Sequence, residues 1–158
     1  MPQHPVVVAI HLRFFNMKIA TWNVNSIRAR VIHFNKWVQE SDPDVILLQE
    51  LKCTQDTFPY DLIENQSYNI AVHGEKSYNG VAILSKYPLE DVVTTFDQVP
   101  HPHHARYIEC FTGGVRVASV YVPNGQEVGS EKYAYKLAFY KALETHLKNL
   151  VQPWEKLI

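Results

Sequence analysis

The chain has 158 residues, 46% of them hydrophobic and 20% charged, which fits one globular domain with a core of its own. Fifteen Lys and Arg against sixteen Asp and Glu leave a net charge of −1, so any surface for a polyanion is a local patch and not a property of the whole chain. No apolar run reaches the roughly 20 residues that span a bilayer, and two cysteines with no CxxC pair read as reduced and structural, in a cytoplasmic protein.

Residues 1–16, "MPQHPVVVAIHLRFFN", lack the basic start and small-residue cleavage site of a secretory signal. They read as an extension or a misassigned start, with the ordered pattern beginning at Met17. "KIATWNV" (18–24) is a strand. A helix follows with Ser26 as its N-cap and Ile27, Val31, Phe34 and Val38 on one face, and "SDPD" (41–44) breaks it. "VILLQE" (45–50) is apolar on both alternating faces, the mark of a strand covered on both sides. A short helix is expected from about 56 to 65, strands at 68–75 and 80–86, and a hairpin of 106–112 with 115–122 across Gly113 and Gly114. A longer helix from about 131 to 151 carries Leu137, Tyr140, Leu143, Leu147 and Leu150 on one face. The sum is a mixed sheet with helices on one side and a second face that needs a cover. Trp22, Trp37 and Trp154 read as core or interface aromatics, and His146 as surface or packing.

Hard-oxygen side chains close two of these strands. Asn23 and Asn25 end the first and Glu50 ends the second, and one carboxylate with amide carbonyls suits Mg²⁺. The same residues read equally as a helix cap and a solvated glutamate. Lys52 either joins Glu50 at a ligand or lies in solvent. In "YVPNG" (121–125), Tyr121 can stack or donate to a phosphate, or simply end a strand. "HPHH" (101–104) reads as a polar loop, since no second ligand cluster accompanies it.

Five motifs, "TWNVNSIRAR", "PDVILLQELK", "HGEKSYNGVAILSK", "ARYIE" and "SVYVPNG", occur in order at matching intervals. Together, from Met17 onward, they resemble the exonuclease III branch of the endonuclease/exonuclease/phosphatase superfamily, the bacterial abasic-site endonucleases. The resemblance implies a DNase I-like four-layer α/β sandwich, of which residues 17–158 supply about one half, as one mixed sheet with covering helices. It implies Glu50 and Asn25 at a Mg²⁺ ion, with Mn²⁺ as an alternative, Asn23 and Tyr121 beside them in the catalytic pocket, and Arg28, Lys52, Tyr78, Asn79 and Asn124 along the DNA. Arg30 and His73 lie in neighbouring segments. The implied reaction is hydrolysis of double-stranded DNA 5′ to an abasic site, a base excision repair step, with 3′→5′ exonuclease activity beside it.

One departure is large. The family pattern carries a "GDxN" strand end and a C-terminal "SDH" pair, whereas no Asp follows Asp97 and no His follows His146. The resemblance therefore covers an N-terminal half, truncated at the C-terminus. The expectation is a chain inactive alone, with an apolar sheet face exposed and poor solubility. The alternative reading is a non-catalytic fragment of a degraded or split gene, or a half that binds DNA or a complementary polypeptide.

Overall fold

The computed structural model describes residues 7–12, 17–63, 67–150 and 157–158. Its first strand lies in the segment read from sequence as an extension. β1 (Val7–Leu12) runs antiparallel along β2 (Met17–Asn23), with Val7 opposite Trp22 and Leu12 opposite Met17. From β2 the chain crosses over through α1 (Ile27–Ser41) to the parallel strand β3 (Val45–Gln49). Such a crossover puts the C-terminal ends of both strands side by side, and Asn23 faces Gln49 in register. β4 (Asn69–His73) and β5 (Val81–Ser85) complete a five-stranded sheet in the order β1-β2-β3-β5-β4. β5 is antiparallel to β3, so its entry joins the same edge as the exits of β2 and β3.

The remaining strands depart from the single mixed sheet expected. β6 (Glu90–Val93), β7 (Tyr107–Thr112) and β8 (Val115–Val120) form a separate three-stranded antiparallel sheet. The reason lies in its inner face. Ile108, Cys110, Val115 and Val117 bury themselves against Met17, Ile19, Val45, Leu47, Val81 and Ile83 of the first sheet. Each sheet thereby covers the other, and the bare apolar face expected from sequence is closed among the described residues. A buried Ser85–Thr112 hydroxyl pair (2.7 Å) joins the sheets at one point. The Gln49 amide joins them at another, donating to Thr21 Oγ1 (3.0 Å) and Ser119 Oγ (2.9 Å).

Helices close both outer faces. α1 presses Ile27, Phe34 and Val38 on Trp22, Ile46 and Leu48, with Trp37 packed edge-on to Trp22. α3 (Glu131–Leu150) lays Phe139, Ala142 and Leu143 on Tyr107 and Phe96. The result is the four-layer order helix, sheet, sheet, helix. The buried face of α3 is rotated from the one expected. Leu137 and Tyr140 are half exposed, because Phe139 fills the position over the sheet. His146 packs as expected, stacked on Phe96 and 3.4 Å from the buried Glu109 carboxylate.

Three smaller expectations also change. The helix at 56–65 is a 3₁₀ turn (Gln55–Thr57) and a single turn, α2 (Tyr60–Ile63), divided by Pro59, which has no N–H to continue the first. Ser26 makes no side-chain cap; at φ +84 its amide turns away to donate to Glu50 O (2.8 Å). β6 was unread because all four of its residues are exposed. Trp154 lies outside the described residues. Leu157 and Ile158 pair in parallel with the open edge of β8.

Candidate metal and phosphate site

The exits of β2 and β3, the entry of β5 and the open ends of β7 and β8 meet at one rim. Backbone hydrogen bonds tie the pieces together. Val24 and Ser26 donate to Gln49 and Glu50 carbonyls, at 3.0 and 2.8 Å. Leu51 donates to Gly80 O (3.1 Å) and Lys52 to Asn79 O (3.0 Å), so the segment 50–52 is held from both sides. Glu50 and Lys52 both sit at positive φ, +62 and +54. Non-glycine residues adopt such angles at a cost, and here neighbouring strands impose them.

At the rim, Lys52 Nζ stands 3.1 Å from Glu50 Oε1 and 2.5 Å from Asn25 Oδ1. A cation therefore already lies between the two oxygens that the sequence assigned to a metal. Asn23 Oδ1 accepts from the Asn25 amide (3.1 Å), and Arg30 Nη1 donates to Asn25 O (2.6 Å), which together fix the strand end. Among the described residues no group of three or more His, Cys, Asp or Glu could cage a metal. The donor set is one carboxylate and amide oxygens. That set suits Mg²⁺, which keeps several waters and takes one or two protein carboxylates plus phosphate oxygens. The residues present fit the ion.

Tyr121 follows β8 and reaches the same carboxylate. Burial pushes its phenol above the ordinary value; the Glu50 carboxylate pushes the same way and the Arg106 guanidinium pulls it back. It is thus a protonated donor at neutral pH, beside the Glu50 carboxylate. The thiols are not candidates for nucleophilic attack. Burial raises Cys53, and it pushes Cys110 up to about 12.

A cleft of about 180 Å³ shares Lys52 with the rim and is lined by Arg28, Lys76, Thr54 and Thr57 among others. Three cations and three hydroxyls, Ser77 included, make it a local anion-accepting patch on a chain of near-neutral charge. Tyr78 is exposed. Asn79 is buried, and its amide donates to Glu75 Oε2 (2.6 Å), which also accepts the Ala105 amide. Asn124 is exposed, its Oδ1 taking the Gln126 amide (3.0 Å) in a tight turn. The structure thus brings Asn23, Asn25, Glu50, Lys52 and Tyr121 together, with Arg28 in the adjoining cleft. His73 is bonded through Nδ1 to Tyr107 O (3.0 Å). Lys76 and Arg106 went unassigned from sequence. Both sit inside quoted motifs, "HGEKSYNGVAILSK" and "ARYIE", and the motifs were the only signal for them.

Comparison with known proteins bears on the family and the fold. The profile described as the Endonuclease/Exonuclease/phosphatase family matches residues 20–152. Exodeoxyribonuclease III of Haemophilus influenzae is 33% identical over 137 residues, covering 84% of this chain and 51% of its own length. Among solved structures, the 3′-5′ exonuclease NExo of Neisseria meningitidis superposes with a TM-score of 0.85 at 36% identity, over 89% of this chain and 55% of its own. An AP endonuclease from Archaeoglobus fulgidus gives 0.81 at 38% identity, over 86% and 52%. The chain spans about half the length of the relatives it matches.

Proposed function

The chain belongs to the endonuclease/exonuclease/phosphatase family, and from that membership we propose that its rim is the metal-and-tyrosine side of a DNA-repair phosphodiesterase site. The reaction is Mg²⁺-dependent hydrolysis of the phosphodiester 5′ to an abasic site, in the cytoplasm, with 3′→5′ exonuclease activity as a companion. The observation that carries the reading is the Lys52 ammonium lodged between Glu50 and Asn25, with Tyr121 reaching the same Glu50 carboxylate. A site built to seat a cation next to a protonated phenol suits a phosphate group.

Glu50 and Asn25 would hold the ion, and Asn23, beside them in the pocket, would help to orient it. Mg²⁺ or Mn²⁺ held there would supply polarisation of the phosphate and stabilisation of the leaving oxyanion. Tyr121 donates its O–H to a non-bridging phosphate oxygen, where charge builds in the transition state. Arg28 and Lys52, with Lys76, take flanking phosphates of the duplex. Tyr78, Asn79 and Asn124 border that path. DNA as the substrate class is supported by the Neisseria relative, described bound to a product DNA hairpin.

Two roles of the family pattern have no counterpart in these residues, a water-positioning Asp and a phosphate-holding His. No Asp follows Asp97 and no His follows His146. Acid–base help alone is worth roughly 10²–10⁴ in rate. Residues 1–158 by themselves therefore bind abasic duplex but incise it little. The test is incision and binding of a duplex with one abasic site, in Mg²⁺, beside Glu50→Ala. Salt-sensitive binding with incision no greater than in Glu50→Ala is expected. Incision abolished by Glu50→Ala contradicts the assignment of inactivity, and absence of DNA binding contradicts the substrate.

A further inference from the structure

Arg106 immediately precedes β7 and pairs with Tyr121, and nothing in the roles above uses it. Its guanidinium carbon lies 4.9 Å from the centroid of the Tyr121 ring and 5.9 Å from that of Tyr135. Its Nη1 donates to Tyr121 O (3.2 Å), and the Tyr121 amide donates back to Arg106 O (2.8 Å). Tyr121 is thus gripped by its amide, its carbonyl and its ring. Tyr135, on α3, is held in turn by His104 Nδ1 at 3.1 Å from its hydroxyl, so the guanidinium also contacts a second, fixed ring.

One atom is left over. Arg106 Nε is buried and has no hydrogen-bond partner. A buried, unpaired N–H is destabilising, and an aliphatic side chain of like length fills the same space without it. An arginine is retained here for what only arginine does, a flat cation that stacks on an aromatic face and donates along its edge at once. The connection runs further. Ala105 O accepts the Gly80 amide (2.8 Å), and Gly80 O accepts that of Leu51 (3.1 Å). The carboxylate segment 50–52 and the phenol are therefore anchored to the same two residues, Ala105 and Arg106.

We propose that Arg106 is the positioning residue for Tyr121, fixing its phenol beside Glu50 at the place where a DNA phosphate oxygen is received. The assignment of that place rests on the function proposed above; the clamp itself does not. Arg106 acts through Tyr121 and does not itself touch the phosphate.

The experiment uses the full chain with Arg106→Met and Arg106→Lys. Proton NMR contacts between the Tyr121 ring and the Glu50 side chain, assigned with Tyr121→Phe, need neither DNA nor activity. They are expected strong in the wild type, weaker in Arg106→Lys and lost in Arg106→Met, at retained helix and strand content. Undiminished contacts in both variants overturn the proposal, as do undiminished contacts in Arg106→Lys alone should Arg106→Met not fold. Affinity for an abasic duplex supplies the second arm. Arg106→Met is expected to weaken binding, to leave the salt slope unchanged, and to cost nothing further in a Tyr121→Phe background. A slope lower by about one marks a direct phosphate contact and overturns it, as do losses that simply add. A wild type that binds no duplex refutes the proposed substrate and leaves the NMR result to decide the clamp.

Discussion

Gly80→Ala strikes the joint between the first sheet and the rim. Gly80 has φ +90, and an added Cβ comes within 2.8 Å of Leu51 Cβ and 3.3 Å of its Cγ. Leu51 is fully buried and cannot swing aside. The left-handed backbone costs an L-residue about 1–2 kcal/mol, and overpacking a closed core about 1–3 more. Together they predict a loss of about 2–5 kcal/mol, a large share of the 5–15 kcal/mol of an ordinary domain. Gly129→Ala is the control, since Gly129 has nearly the same φ, +87, with nothing within 4 Å of its added Cβ. It is expected to show the backbone cost alone. Urea unfolding followed by circular dichroism, at unchanged slope, measures both. A Gly80→Ala loss no larger than that of Gly129→Ala refutes the packing argument, and a loss under about 0.5 kcal/mol refutes the strain argument as well.

Lys52→Met removes the ammonium that occupies the Glu50–Asn25 oxygen pair, so divalent-ion affinity measured by calorimetry is expected to rise several-fold; an unchanged or weaker affinity contradicts competition at that pair. Phe34→Ala empties a fully buried position between Trp22 and Trp37 and is expected to cost about 3–5 kcal/mol, with loss of the near-ultraviolet signal of the tryptophans. Burial holds His104 below its ordinary value of 6.5, outweighing the nearby Glu75. A depressed histidine favours its neutral form in the fold, so its contribution to stability is present above pH 6.5 and lost as pH falls through the lower, folded value. His104→Gln is expected to flatten the fall of the urea midpoint on acidification, and an identical fall in the variant excludes His104 as its source.

The first sheet was legible where the pattern was local. Alternation in "KIATWNV" and "GVAILSK" and the 3-and-4 spacing from Ile27 to Val38 correspond to β2, β5 and α1 in the structure. The assignment of β7 and β8 to a second sheet was not legible. A period of two reports which residues are buried, not which strand lies across the gap. β1 was not legible because "VVAIHL" lies in a segment that reads as an extension or a misassigned start, and β6 because "EDVV" buries nothing. Pro59 was in plain view and should have divided the helix expected at 56–65. At the rim, Asn23, Asn25 and Glu50 were readable as oxygen donors at strand ends. The Lys52 bridge was not, since it depends on positive φ at Glu50 and Lys52, which only the surrounding hydrogen bonds impose. Arg106 needed the crossing of β7, β8 and α3 to be seen at all.

The central claim is that the oxygens of Glu50 and Asn25 seat a divalent ion beside Tyr121. Titration of the isotope-labelled chain with Mn²⁺, followed by NMR, tests it without substrate. The account predicts paramagnetic broadening confined to residues around 23–26, 50–52 and 121, abolished in Glu50→Gln. Broadening centred on the His101–His104 loop, or broadening at the rim that survives Glu50→Gln, contradicts it.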